Sequence, residues 1–153
     1  MPKSKVDNWR TPDHLFTSLK LQYFFDLDVA ADPHNTKLPM YFHEGSSALA
    51  NSWGALCFFM NPPFSQAQAF FEKLNLEVAS SSTGVALYRC DNLETKVWQE
   101  AIFPFCDWVF ILSPRLQYVH PDGQATRGVK FGSALIGYGL PPPTEVRGTF
   151  LRI

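Results

Sequence analysis

Asn61, Pro62, Pro63 and Phe64 follow directly on the apolar run from Ala55 to Met60, and their chemistry suits a grip on an amine carried by a flat ring. Such an amine presents two N–H donors in one plane. The Asn61 side chain and a proline carbonyl can accept one each, and Phe64 offers a face on which a planar base stacks. The run before them reads as a buried strand stopped by proline, which lacks the ladder donor and fixes its own φ. The same four residues also read as an ordinary turn, because Asn-Pro and Pro-Pro pairs are common punctuation.

The surrounding pattern decides where this corner sits. After it, Ser65 is a good N-cap for a helix to about Ala79, with Ala67, Phe70, Phe71, Leu74 and Val78 on its apolar side; its positive end would face the corner. Upstream, Thr11-Pro12-Asp13 supplies an N-cap, a first-turn proline and an early acid for a helix carrying Leu15, Phe16 and Leu19. Phe24 to Ala31 reads as a buried strand in which Asp26 and Asp28 alternate with apolar residues. Asp28 falls near its carboxyl end, where open α/β sheets place ligand groups, although either acid could instead bind nearby backbone donors. Residues 36 to 54 have weak periodicity, with Tyr41, Phe42 and Leu49 as expected core anchors. A strand over Thr83 to Tyr88, a helix over Leu93 to Ile102 and a strand over Asp107 to Leu112 continue the alternation. This order predicts an α/β fold with a mostly parallel sheet and helices on its faces. Arg115 to His120 and Lys130 to Tyr138 are strand-like and are expected to pair antiparallel. The polar, partly basic stretch 121 to 130 between them is too long for a tight hairpin. Pro141 to Pro143 form a rigid exit from the last strand.

Composition limits the functions open to the chain. With 153 residues, 46% of them hydrophobic, one domain with a real core is expected, spanning 1–153. A formal charge of −1 denies it the broad positive field of a tight nonspecific nucleic-acid binder. Phosphate contacts must be local, and basic residues gather near the two ends, as Lys3, Lys5 and Arg10 and as Arg127, Lys130, Arg147 and Arg152. Cysteines 57, 90 and 106 are odd in number and form no CxxC pair, which argues against a disulfide framework or a zinc knuckle. His43-Glu44 begins like a zincin motif, but no second histidine follows four positions after the first, so no metal is expected. Neither a cleavable leader nor eighteen consecutive apolar residues occur; a cytoplasmic protein that does not span a membrane is the expectation.

These residues also carry a family resemblance. Trp9-x-Thr11-Pro12 with Leu15-Phe16, Phe25 to Asp32 with Asn35, Leu49 with Trp53, and Asn61 to Ser65 resemble the phage-type DNA adenine-N6 methyltransferases of the Dam group. Arg89-x-Asp91 with Trp98, Arg115-Leu116 and Phe131 to Leu135 extend the resemblance over nearly the whole chain. It implies a compact Rossmann-like class I methyltransferase fold, S-adenosylmethionine as cofactor and DNA as partner. By it, Trp9, Thr11 and Pro12 would meet the methionine part of the cofactor, with Asp28, Ala30, Asp32 and Ser47 lining the rest of its site. Asn61, Pro62 and Pro63 would form the catalytic corner, and Phe64 would stack on a flipped adenine. Arg115, Arg127 and Lys130, within a strand and loop over 113–131, are expected to contact DNA. Two departures stand out: Ala31-Asp32-Pro33 replaces the Gly-x-Gly of many amino-methyltransferases, and Ser46-Ser47 stands where an acid often precedes the Leu49 position. The corner alone fits other planar amines, cytosine N4 or a glutamine amide, equally well, and a catalytically silent binding protein would keep the same fold.

Overall fold

The structure, a computed structural model, describes residues 7–31, 35–43, 47–123 and 129–153. Six strands form one sheet: β1 (Leu27–Asp28), β2 (Cys57–Met60), β3 (Thr83–Arg89), β4 (Trp108–Leu112), β5 (Ser133–Tyr138) and β6 (Gly148–Arg152), in the spatial order β1-β2-β3-β5-β4-β6. The pairs β1/β2 and β2/β3 are parallel, whereas β5 lies antiparallel between β3 and β4, and β6 lies antiparallel on β4. Since β3 and β4 both oppose β5, they run in the same direction. Four strands therefore share one direction and present their carboxyl ends along one edge of the sheet.

Alternation along the strands explains the three layers. Phe58 and Met60 of β2 and Ala86 of β3 join a cluster with Phe71 and Leu74 of α2 (Ala67–Ala79), to which the π-helical turn Val97–Ile102 adds Trp98 and Ile102. Phe59, Val85 and Leu87 point the other way, into a cluster with Leu15, Phe16 and Leu19 of α1 (Asp13–Gln22). Strands buried on both faces read as apolar runs, which is why β2, β3 and β5 are so uniformly hydrophobic.

Several expectations are corrected. The strand expected over Phe24 to Ala31 shrinks to Leu27–Asp28, because the neighbouring chain makes only isolated contacts: Asp28 N–H donates to the Met40 carbonyl and Phe42 N–H to that of Asp28. Arg115 to His120 is not a strand; its one bridge joins Val119 to Arg10, and β5 pairs with β3 and β4 instead. Tertiary pairing overrides sequence adjacency here, since two apolar strand edges offer β5 far more burial than a polar loop neighbour. The helix expected from Leu93 begins later and opens into π geometry, with Phe103 N–H donating to the Trp98 carbonyl five residues back. Neither expected N-cap forms: α1 and α2 start without a side-chain cap, and a 3-10 turn at Phe64–Gln66 precedes α2. Leu49, expected in the core, is exposed, while Ala48 and Trp53 are buried in its place. β6 follows Pro141 to Pro143, so those prolines link two strands rather than leaving the last.

Candidate active site

The carboxyl ends of β1 and β2 open onto a cleft of about 610 Å³. Open α/β sheets place ligands there because the strands end together and the chain turns away, leaving backbone and side-chain polar groups facing one hollow. Its lining includes Asp28 at the end of β1, Ala30 and Ala31 after it, Ser47 and Leu49 from the following segment, and Asn61 and Pro63 after β2. Trp9, Arg10 and Thr11 close it from the amino-terminal side.

Asn61 is held in one orientation. Its Nδ2 donates to the Trp9 carbonyl at 2.8 Å and to Thr11 Oγ1 at 3.0 Å. A backbone carbonyl can only accept, so this contact fixes which end of the amide is nitrogen. The Oδ1 is consequently directed away from the strap and accepts no hydrogen bond among the described residues. The next acceptors follow the same logic: the Pro63 carbonyl takes the Gln66 N–H, and the Pro62 carbonyl accepts nothing among the described residues. Two unspent acceptors thus lie on successive residues of a corner that proline has made rigid.

The residues before α1 act as a strap over this corner. Asp7 accepts from Phe64 N–H through its carbonyl, and its carboxylate accepts from Ser65 N–H at 2.6 Å and Ser65 Oγ at 2.7 Å. Ser65 therefore serves the strap, which is why it does not cap α2. On the far side, Arg10 and Val119 exchange both backbone hydrogen bonds, and the Trp9 ring meets His120 edge-on at 5.5 Å. Nothing in the local pattern of Asp7 to Thr11 announces this role, since Thr11 there reads as a helix cap, and α1 forms without a side-chain cap.

The other expected site residues fall into three groups. Trp9, Thr11, Asp28, Ala30, Ser47, Asn61 and Pro63 come together around the cleft. Asp28 is 4% exposed and accepts the Lys37 N–H at 3.0 Å, so part of its carboxylate orders the 35–43 segment that covers the β1 edge. Pro12 and Pro62 are buried and are not among the lining residues. Phe64 stands just outside it, with its ring edge-on to Tyr88 and Phe131. Arg115 is exposed and reaches the Val129 carbonyl at 3.4 Å, and Lys130 is exposed; neither lines the cleft. Asp32, Arg127 and the Ser46 half of the Ser46-Ser47 pair lie outside the described residues. The missing Gly-x-Gly costs no strain at the described end of β1, because none of Val29, Ala30 or Ala31 has a positive φ.

The sequence marked Arg89-x-Asp91 and Phe131 as part of the resemblance but gave no sign that they gather beside Phe64. The Arg89 guanidinium lies 5.0 Å from the Phe64 ring centroid and 4.3 Å from that of Phe131. Asp91 clamps it with two hydrogen bonds of 2.8 Å, from Nε and Nη2. That pairing holds the Asp91 carboxyl below its ordinary value, chiefly through the hydrogen bond from Arg89. Among the described residues there is no group of His, Cys, Asp and Glu arranged to hold a metal, and no helix is long and apolar enough to cross a membrane.

Fold and cleft together define an α/β protein with a candidate site at the carboxyl ends of parallel strands, lined by Asn61 and Pro63 of the Asn-Pro-Pro-aromatic corner. The family model described as DNA N-6-adenine-methyltransferase (Dam) matches residues 1–137, and the chain belongs to that family; it is a DNA N6-adenine methyltransferase. It is 30% identical to the DNA N-6-adenine-methyltransferase of Haemophilus phage HP1 (strain HP1c1) over 124 residues, covering 78% of this chain and 70% of the relative. It is also 35% identical over 71 residues to the protein named "Putative methyltransferase YfdM" of Escherichia coli (strain K12), covering 40% of this chain and 76% of that one. The family implies a methyl donor of the S-adenosylmethionine kind and a DNA substrate.

Proposed function

We propose that the Asn61 corner receives the N6 amine of an adenine turned out of DNA, while the cleft beside it holds S-adenosylmethionine. The observation that carries this reading is the fixed amide of Asn61: its nitrogen is spent on the strap, so its oxygen is the end left for an incoming N–H. S-adenosylmethionine supplies a methyl group on a sulfonium. The cleft suits such a molecule, being of ordinary ligand size and pairing the Asp28 carboxylate and the hydroxyls of Thr11 and Ser47 with apolar Phe42, Leu49 and Phe70.

An aryl amine is a poor nucleophile because its lone pair is delocalised into the ring. Asn61 Oδ1 and the Pro62 carbonyl, each accepting one amine hydrogen, turn that lone pair out of the ring plane and stabilise the positive charge that grows on nitrogen as the N–C bond forms. The carbon–sulfur bond breaks with its electron pair left on sulfur, and the extra amine proton leaves to solvent. No residue must act as a strong base, because positioning and oriented dipoles carry the acceleration. Phe64, with Arg89 over its ring, forms the wall on which the extruded base stacks, returning about 1–3 kcal/mol toward the cost of unstacking. Arg115 and Lys130, both exposed, are the candidates for contact with the DNA backbone, and the same role is proposed for Arg127 from the sequence.

The test uses purified protein, labelled S-adenosylmethionine and DNA of mixed sequence, with the methylated nucleoside identified. N6-methyladenine is expected, and Asn61→Ala lowers turnover on the order of 10²-fold while calorimetric affinity for the cofactor stays within several-fold. Wild-type turnover in the Asn61→Ala protein would remove the corner from the chemistry.

A further inference from the structure

We propose that the groove between α1 and the turn 119–123, floored by Arg10, is a phosphodiester site that holds the DNA backbone next to the extruded nucleotide. The proposal rests on the reading of the Asn61 corner above and extends it to the part of the substrate that carries no base. The groove encloses about 480 Å³ and shares Arg10, Thr11, Asn35 and Lys37 with the larger cleft, so the two hollows join through the strap.

Arg10 is the reason to assign it a ligand. Its backbone is pinned by the exchange with Val119, at 2.8 and 3.0 Å. Its side-chain Nε is buried and has no hydrogen-bond partner among the described residues. A buried donor on a permanently charged group is costly when left unmatched, and the cost is relieved by an anion with several acceptor oxygens. Charge in the groove agrees. Arg10, Lys20 and Lys37 line it, and Asp13 is the sole carboxylate among its described lining residues. Asp13 pairs with Lys37, leaving Arg10 and Lys20 without a neutralising partner among the described residues. On a chain of net charge −1, two such cations in one trough are a local feature and not part of a general positive field.

The methyl donor also carries a carboxylate, and Arg10 borders its cleft as well. Lys20 lines the groove and not the cleft, so the pair of unmatched cations belongs to the groove. Position adds a second argument. Trp9 and Thr11, the residues on either side of Arg10, both hold the Asn61 amide. A phosphate seated on Arg10 would therefore be registered, through one peptide unit in each direction, to the acceptor that receives the amine. The planar guanidinium fork fits phosphate oxygens in a fixed geometry that lysine does not reproduce.

Fluorescence anisotropy of a labelled mixed-sequence duplex, measured over a series of KCl concentrations, tests this with wild type, Arg10→Ala and Lys20→Ala. Arg10→Ala is expected to weaken binding about fivefold or more at low salt and to reduce the slope of log affinity against log salt by about one; Lys20→Ala moves both in the same direction. Calorimetric affinity for S-adenosylmethionine stays within about twofold in both variants, and the thermal midpoint of Arg10→Ala is equal to or above that of wild type, because no native side-chain bond is lost. An unchanged slope in both variants overturns the proposal, as does a wild type that binds no DNA. Loss of cofactor affinity with DNA binding intact would move Arg10 to the donor carboxylate. A lowered midpoint in Arg10→Ala together with wild-type DNA binding by Lys20→Ala would make Arg10 structural. A protein that binds DNA through Arg10 yet forms no N6-methyladenine would overturn the catalytic reading and leave the groove standing.

Discussion

Arg89 and Asp91 illustrate how single residues set the geometry beside the Asn61 corner. A guanidinium gripped at two points cannot rotate, so the two rings it covers are held at a fixed mutual angle, 78° between Phe64 and Phe131. Lysine keeps the charge but has no fork, so Arg89→Lys is expected to lose the clamp while retaining much of the cation's attraction to the rings. The titration of Asp91 reports the clamp directly. Its folded value is depressed below the ordinary 3.8, so the stabilisation it contributes is complete above that pH and is lost as pH falls through the lower, folded value. In a carboxyl-carbon NMR titration Asp91 should show a midpoint below 3.8 in wild type and a return toward 3.8 in Arg89→Ala. A wild-type midpoint at or above 3.8 would contradict the clamp.

At the scale of elements, the corner is built from two sides. β2 ends it because proline cannot continue the ladder, and the strap from Asp7 to Thr11 seals it with hydrogen bonds to Asn61, Phe64 and Ser65. Asp7→Ala removes the acceptors for Ser65 while leaving the other cleft-lining residues in place, so its effect should be greater on turnover than on thermal midpoint. Equal loss of both would reduce the strap to a structural role. The antiparallel end of the sheet depends on a different feature. Gly137 pairs across from Trp108, and a Cβ added there would stand 1.9 Å from the indole. The indole is also tied by its N–H to the Leu140 carbonyl at 2.7 Å and cannot swing aside freely. Gly137→Ala should therefore cost roughly 1–3 kcal/mol in denaturant unfolding, the usual range for overpacking a core.

For the whole molecule, the three layers bury the Cys106 thiol, half-bury those of Cys57 and Cys90, and leave a cleft at the sheet's carboxyl edge. Burial pushes the Cys106 thiol up to about 11 and raises Cys57 and Cys90 as well, so at pH 8 little thiolate is present. Iodoacetamide should modify Cys106 slowest in the native protein, as read by mass spectrometry, and at the rate of an ordinary thiol after unfolding. Fast native alkylation of Cys106 would show that the face packed by the 97–102 turn opens. Because the cleft exists only when β1, β2 and the strap are assembled, a ligand of the cleft also stabilises the whole fold. S-adenosylmethionine at a hundred times its dissociation constant should add about 2.7 kcal/mol, or roughly 5–10 °C in midpoint.

The sequence alone determined those features that depend on neighbours along the chain. Proline after an apolar run fixes the end of β2 at Asn61, and runs buried on both faces identify β2, β3, β4 and the helix at 67–79, because backbone chemistry and side-chain period act locally. Family membership was legible in the order of the Thr-Pro, aspartate-rich and Asn-Pro-Pro-Phe segments, and the family match agrees with it. The tertiary structure decided what depends on residues far apart. It set β5 between β3 and β4, since strand pairing is chosen by the burial offered and not by adjacency. It spent Ser65 and Thr11 on the strap and on Asn61, where the local pattern favours helix caps, because partners far apart in sequence meet only once the chain is folded. It also oriented the Asn61 amide, for the carbonyl of Trp9, fifty-two residues away in sequence, fixes which end of that amide is nitrogen.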